Sequence, residues 1–131
     1  RLEISMFEKG KSYTREEIHA VVGGNKHSYL PRKKGKVVAA CLRPDLNPDA
    51  PHVILCNSCQ PERTAGEQLA RQGGVIPVFL KENTSSWKFQ GLFRVVGEET
   101  HPDACAPYAA RSAWTKGQIK QVLKLERQVK F

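Results

Sequence analysis

The apolar and polar positions of this chain divide it into short elements separated by glycine and proline. Thr14 stands three residues before Glu17, the spacing of a capping box. Ile18, Val21 and Val22 then form a short apolar stripe that Gly23-Gly24 ends, which predicts a helix. Residues 25–35 read as a polar, basic loop. Lys36–Leu42 (KVVAACL) and His52–Asn57 (HVILCN) are apolar runs of strand length, separated by a loop holding Pro44, Pro48 and Pro51. Ser58 is placed to cap a second helix with Pro61 in its first turn. That helix buries Ala65 and Leu69 and stops at Gly73-Gly74.

Val75–Lys81 (VIPVFLK) and Trp87–Val96 (WKFQGLFRVV) flank a polar turn and predict a hairpin. Pro77 marks an edge or a bulge in its first strand. Residues 97–113, with Pro102 and Pro107, read as irregular. The last stretch is ambiguous. Ile119, Val122, Leu123 and Glu126 fit a helical period, whereas Leu123, Leu125 and Arg127 alternate as in a strand; propensity slightly favours the helix. Together these elements predict one α+β domain over residues 1–131, with a mixed sheet of about five strands and short helices. The first residue is Arg1 rather than Met, so the chain reads as a fragment or a processed product of a longer protein.

Charge sharpens the picture. The 131 residues carry a formal net charge of +8, with a sequence pI near 9.5. Lys26, Arg32, Lys33, Lys34, Lys36 and Arg43 fall in a stretch without any acid, and Arg111, Lys116 and four further cations occupy residues 111–131 against the single Glu126. Two such clusters imply a patch that engages a polyanion, because cations that neutralise phosphates release counterions. The alternative is a basic domain whose charge serves solubility alone. No apolar run approaches the roughly 20 residues of a membrane span.

Candidate chemistry is sparse. Cys56 and Cys59 form a CxxC pair, but a zinc ribbon needs a second pair and only the isolated Cys41 and Cys105 remain. Structural free thiols in a reducing compartment are the favoured reading, with zinc binding or thiol redox chemistry as alternatives. His19, His27, His52 and His101 have no carboxylate or nucleophile at an informative spacing, and no catalytic motif is present. The expectation is a chain with no catalytic residues, no metal ligands and no cofactor. Tyr29 inside the basic loop, and Trp87 beside a polar turn, suit a surface that holds phosphates while aromatic rings meet a base. Either ring could equally be a core residue.

The succession Tyr13-Thr14-Arg15-Glu16-Glu17-Ile18, Gly23-Gly24, Ser28-Tyr29-Leu30-Pro31, Gly35-Lys36-Val37-Val38, Asn47-Pro48-Asp49-Ala50-Pro51, Ile76-Pro77-Val78-Phe79-Leu80-Lys81, Trp87-Lys88-Phe89-Gln90-Gly91 and Val122-Leu123-Lys124-Leu125-Glu126 resembles the PUA-like modified-base readers of EVE, YTH and SRA type. In bacteria such domains are joined to HNH nucleases in methylation-dependent restriction enzymes. The resemblance covers most of residues 7–127. It implies a small curved mixed β-barrel with flanking short helices, and a strand rather than a helix over 119–127. It also implies a specificity module that flips a modified base, foremost 5-methylcytosine, out of double-stranded DNA into a pocket. Ser28, Tyr29, Leu30, Asn57, Ser58 and Trp87 would line that pocket. Lys26, Arg32, Lys33, Lys34, Lys36, Arg43, Arg111 and Lys116 would hold phosphates. The expected setting is the bacterial cytoplasm, with a nuclease domain attached in the full-length protein, which could also dimerise. The alternatives are an RNA-binding module of the same fold class and a thiol- or zinc-dependent activity at Cys56 and Cys59.

Overall fold

The computed structural model describes residues 7–115 and 117–128. Elements follow the chain as β1 (Ser12–Tyr13), α1 (Arg15–Val22), β2 (Arg32–Lys33), β3 (Lys36–Val37), β4 (Ala40–Leu42), β5 (Val53–Asn57), α2 (Glu62–Gln72), β6 (Ile76–Asn83), β7 (Ser86–Glu99), α3 (Pro102–Ala110) and β8 (Ile119–Arg127). The main sheet has the order β4-β6-β7-β8-β5, with β1 added to the start of β7. β4 runs parallel to β6 and every other pairing is antiparallel, so the sheet is mixed. β2 and β3 form a separate two-stranded hairpin. This is a small α+β domain with a mixed sheet and three helices. The pairing of the described strands is an open path from β4 to β5, without the closure of a barrel. No helix of the described residues is long and apolar enough to cross a membrane.

Local chemistry accounts for most elements. The Thr14 side chain accepts from the Glu17 amide and the Glu17 carboxylate accepts from the Thr14 amide, the reciprocal cap that the sequence predicts for α1. The β6–β7 hairpin forms as expected and brings Lys81 opposite Trp87. Pro77 lies one residue before the stretch of β6 that β4 covers, and a bulge follows it between Val78 and Phe79. An interior strand therefore tolerates the missing amide. Residues 119–127 form the strand β8, paired with both β7 and β5.

Three expectations are corrected. Lys36–Leu42 is not one strand. Lys34 and Gly35 both adopt positive φ, 53° and 79°, which turns Lys36 back onto Lys33; the chain then leaves the hairpin and enters the main sheet only at Ala40. Ser58 does not cap α2, whose N-cap position is Pro61. Proline has no amide proton to offer Ser58, and the Gln60 side chain accepts from the Thr64 amide instead. Residues 97–113 are not irregular: β7 continues to Glu99 and α3 spans Pro102–Ala110. Pro102 starts that helix, where no amide donor is required, and the His101 side chain accepts from the Asp103 amide. The stretch 119–127 is the strand that the resemblance implies, against its slight helical propensity, because its apolar positions are buried between two partner strands.

Three apolar clusters fill the interior. The largest joins β4, β5, β6 and β8 to α2 through Leu42, Ile54, Leu69, Val78 and Leu123. A second, around Phe7, Ile18, Phe79, Trp87 and Phe89, joins α1 to β6 and β7. The third seats α3 on β5 and β8 through Cys105, Leu55 and Val122. Gly66 lets α2 approach the sheet closely, since a Cβ there would meet the Cys56 sulfur and the Gln121 side chain.

Candidate nucleic-acid interface

The end of the sheet where β4 and β6 both finish opens into a cleft of about 300 Å³. Each wall comes from a different element. α1 contributes Arg15 from its first turn, the loop before β2 contributes Lys26, His27 and Tyr29, and β4 contributes Cys41 at the floor. Arg43, Leu46 and Asn47 follow β4, Glu62 opens α2, and Lys81, Thr84 and Trp87 come from the β6–β7 hairpin. A terminus shared by two parallel strands is a common place for a site, because loops from both diverge there.

Trp87 belongs at once to the core and to the cleft. It is only 8% exposed and packs with Phe7, Phe79 and Phe89. The Arg15 guanidinium and the Lys81 ammonium each lie 5.4 Å from its ring centroid, within cation–π range. Arg15 also donates to the carbonyls of Asn25 and Ser28, at 2.9 and 2.8 Å. One guanidinium thus ties the basic loop to α1 and to the Trp87 wall.

Tyr29 is held from behind. Its hydroxyl donates to Asn57 Oδ1 at 2.6 Å and accepts from the Asn57 amide at 3.2 Å. Burial pushes its phenol well above the ordinary range, so it stays a neutral donor. The ring faces the cleft while the hydroxyl is spent on β5. Asn57 is bound to the back of Tyr29 and does not line the cleft. It lines a second depression with Ser58, on the side of Arg63 and Lys120. Leu30 is also removed from the pocket, since it is fully buried in the largest cluster. Ser28 holds the turn by accepting from the Leu30 amide, and it borders a separate hollow beside Arg32. Of the six residues expected in the pocket, the structure brings Tyr29 and Trp87 together and places Ser28, Leu30, Asn57 and Ser58 elsewhere.

The expected phosphate contacts divide similarly. Lys26 and Arg43 lie on the cleft. Arg32, Lys33, Lys34 and Lys36 all lie on the β2–β3 hairpin, with Lys34 at its turn, and none forms an ion pair among the described residues. Arg43 reaches Asp45 through Nε and Nη2, and this bonding holds the Asp45 carboxyl below its usual range. Arg111 is paired with Asp49 and lies over Tyr108, away from the cleft lining. Lys116 lies outside the described residues.

No family model matches this chain, and no curated protein or solved structure matches it. The geometry of the cleft and the chemistry of its lining therefore carry the functional argument.

Sequence reasoning missed Arg15, Lys81, Thr84 and Asn47. Lys81 was within reach: counting back from Trp87 across the polar turn sets the two opposite each other in a hairpin. Arg15 carried no signal, because its role arises from contacts with residues 10 and 13 positions later in the chain and with Trp87. Burial pushes the Cys41 and Cys56 thiols up to about 12 each. Cys56 is fully buried whereas Cys59 is exposed. Among the described residues no group of three or more His, Cys, Asp or Glu side chains is arranged to hold a metal ion.

Proposed function

We propose that this chain is a DNA-binding specificity module, of the PUA-like kind its sequence resembles, which draws a modified base into the Tyr29–Trp87 cleft. The single observation that carries the reading is the convergence of two aromatic walls and four cations, Arg15, Lys26, Arg43 and Lys81, on one cleft with a single carboxylate, Glu62. A volume of about 300 Å³ lies at the lower end of small-molecule pockets, in keeping with one extruded base. Flipping costs a few kcal/mol, offset by contacts with the base and by phosphate contacts along the cationic hairpin. The base is 5-methylcytosine, whose methyl group packs against an apolar or aromatic wall. One methyl discriminates by about 1–3 kcal/mol, so most affinity comes from the backbone.

On this reading the chain is not itself an enzyme. It acts in the bacterial cytoplasm and directs a nuclease domain carried elsewhere in the full-length protein, which also supplies any dimer contact. The test is a binding panel of matched duplexes carrying cytosine, 5-methylcytosine or 5-hydroxymethylcytosine, with single-stranded RNA of the same sequence. The expected result is a preference of roughly tenfold or more for one modified duplex. Equal affinity for all duplexes removes the base reading, and tighter binding to the RNA replaces it with the RNA module.

A further inference from the structure

The cleft does not end at its mouth. Arg43, Lys81 and Thr84 line both the cleft and a shallower groove of about 380 Å³ that continues along Pro44, Asp45 and Asn83. The two hollows form one track with a shared rim. The rim's acids are already engaged. Asp45 is bonded by Arg43. Glu82 accepts from the Ser12 and Ser86 hydroxyls and pairs with Lys88 at 3.2 Å, contacts that hold its carboxyl below the usual range. Lys81 has no carboxylate partner among the described residues, and its ammonium rests over the Trp87 ring. The Arg43 fork uses Nε and Nη2 on Asp45, and its Nη1 makes no hydrogen bond among the described residues. The rim thus offers an ammonium, a guanidinium N–H and a threonine hydroxyl beside an aromatic wall. These are the donor types that bind a phosphodiester.

We propose that the Arg43–Lys81–Thr84 rim seats the phosphate of the very nucleotide whose base occupies the cleft, and that the strand leaves through the outer groove. This deepens the reading above and rests on it. Base and adjoining phosphate are then read as one unit. Lys81 covers Trp87 in the free domain and turns to the phosphate when the base enters, a short movement for a flexible stem.

The experiment replaces single phosphates of the modified duplex with uncharged methylphosphonates, one linkage at a time around the modified base. Wild-type protein should lose roughly tenfold in affinity at one linkage next to that base, the worth of a charge-assisted contact, and much less at the others. Lys81→Gln should lose that linkage effect, and Lys81→Arg should restore it, with melting temperatures measured alongside. A loss spread evenly over all linkages, or none at any, overturns the rim without needing a variant. A full linkage effect in folded Lys81→Gln overturns the part of Lys81. The two readings fail separately: equal affinity for modified and unmodified duplexes sinks base recognition, whereas a preserved preference without a local linkage effect sinks only the rim.

Discussion

The β2–β3 hairpin presents Arg32, Lys33, Lys34 and Lys36 without a carboxylate partner among the described residues, and Lys26 and Lys81 flank the adjoining cleft in the same condition. On the face built by β7, β8 and the end of α3 three cations are paired instead, although Lys120 and Arg127 of β8 form no ion pair among the described residues. Arg94 meets Glu126 at 2.8 Å, Lys124 meets Glu99 at 3.1 Å, and Arg111 meets Asp49. Similar side chains therefore produce different fields. In these three pairs the charges cancel within a few ångströms, while on the hairpin side they add. Net charge alone could not make this distinction. The sequence clusters at 26–43 and 111–131 look equally basic, yet the structure engages part of the second and leaves most of the first open to a polyanion.

The largest effect expected on the cleft side concerns stability. Trp87 is nearly buried among Phe7, Phe79 and Phe89, so Trp87→Ala should cost about 3–5 kcal/mol. That loss would confound any binding measurement. Trp87→Phe keeps most of the packing and removes the broader ring that Arg15 and Lys81 cover. Thermal melts of both variants, with affinities for modified and unmodified duplexes, separate the two duties of this residue. If Trp87→Ala melts like the wild type, the core assignment fails. If Trp87→Phe keeps the full preference for modified DNA, the ring's indole is not part of the recognition.

Trp87 also shows what a sequence can and cannot disclose. Its place beside a polar turn suggested a ligand wall, and its alternation with Phe89 suggested core; the ring packs in the core and also lines the cleft, because the hairpin end sits where the two meet. The cap at Thr14, the β6–β7 hairpin and the burial of α2 were legible because each depends on residues near one another in the chain. Residues 102–110 were misread because Pro102 and Pro107 look like breakers, although a proline at a helix start costs little. Asn57, expected in the pocket, lies off the Tyr29–Trp87 cleft for a different reason. It is next to Tyr29 in space, but behind the ring, where the Tyr29 hydroxyl consumes its side-chain oxygen. Sequence patterns report that two residues meet and do not report on which side.

An intermediate effect tests the unpaired side directly. Replacing Arg32, Lys33 and Lys34 together with Ala should weaken modified and unmodified DNA alike and shallow the salt dependence by roughly 0.9 per lost phosphate contact. These side chains make no ion pair among the described residues and lie on a hairpin outside the main sheet, so the melting temperature should change little. Affinities measured across a salt series decide the matter. An unchanged slope in the folded triple variant would show that the hairpin points its charge at solvent alone.

The smallest effect belongs to the paired face, and it is the sharpest check on the comparison. Arg111 bonds Asp49 and lies 5.2 Å from the Tyr108 ring centroid, with the two charged side chains 50% and 42% exposed. A half-exposed pair of this kind contributes at most about 1 kcal/mol, since water and salt screen most of its attraction. Arg111→Gln should therefore lower stability by less than about 1 kcal/mol. It should also leave DNA affinity and its salt slope nearly unchanged, because Asp49 already neutralises this cation. Lys34→Gln is the matched single change on the hairpin and should reduce the slope by about one contact. Measured side by side at two salt concentrations, the two variants should differ in binding and agree in melting. If Arg111→Gln weakens DNA as much as Lys34→Gln does, then the Asp49 pair opens to phosphate on binding. In that case pairing in the free domain would not predict which cations meet the backbone, and the division between the two faces would have to be redrawn from the complex.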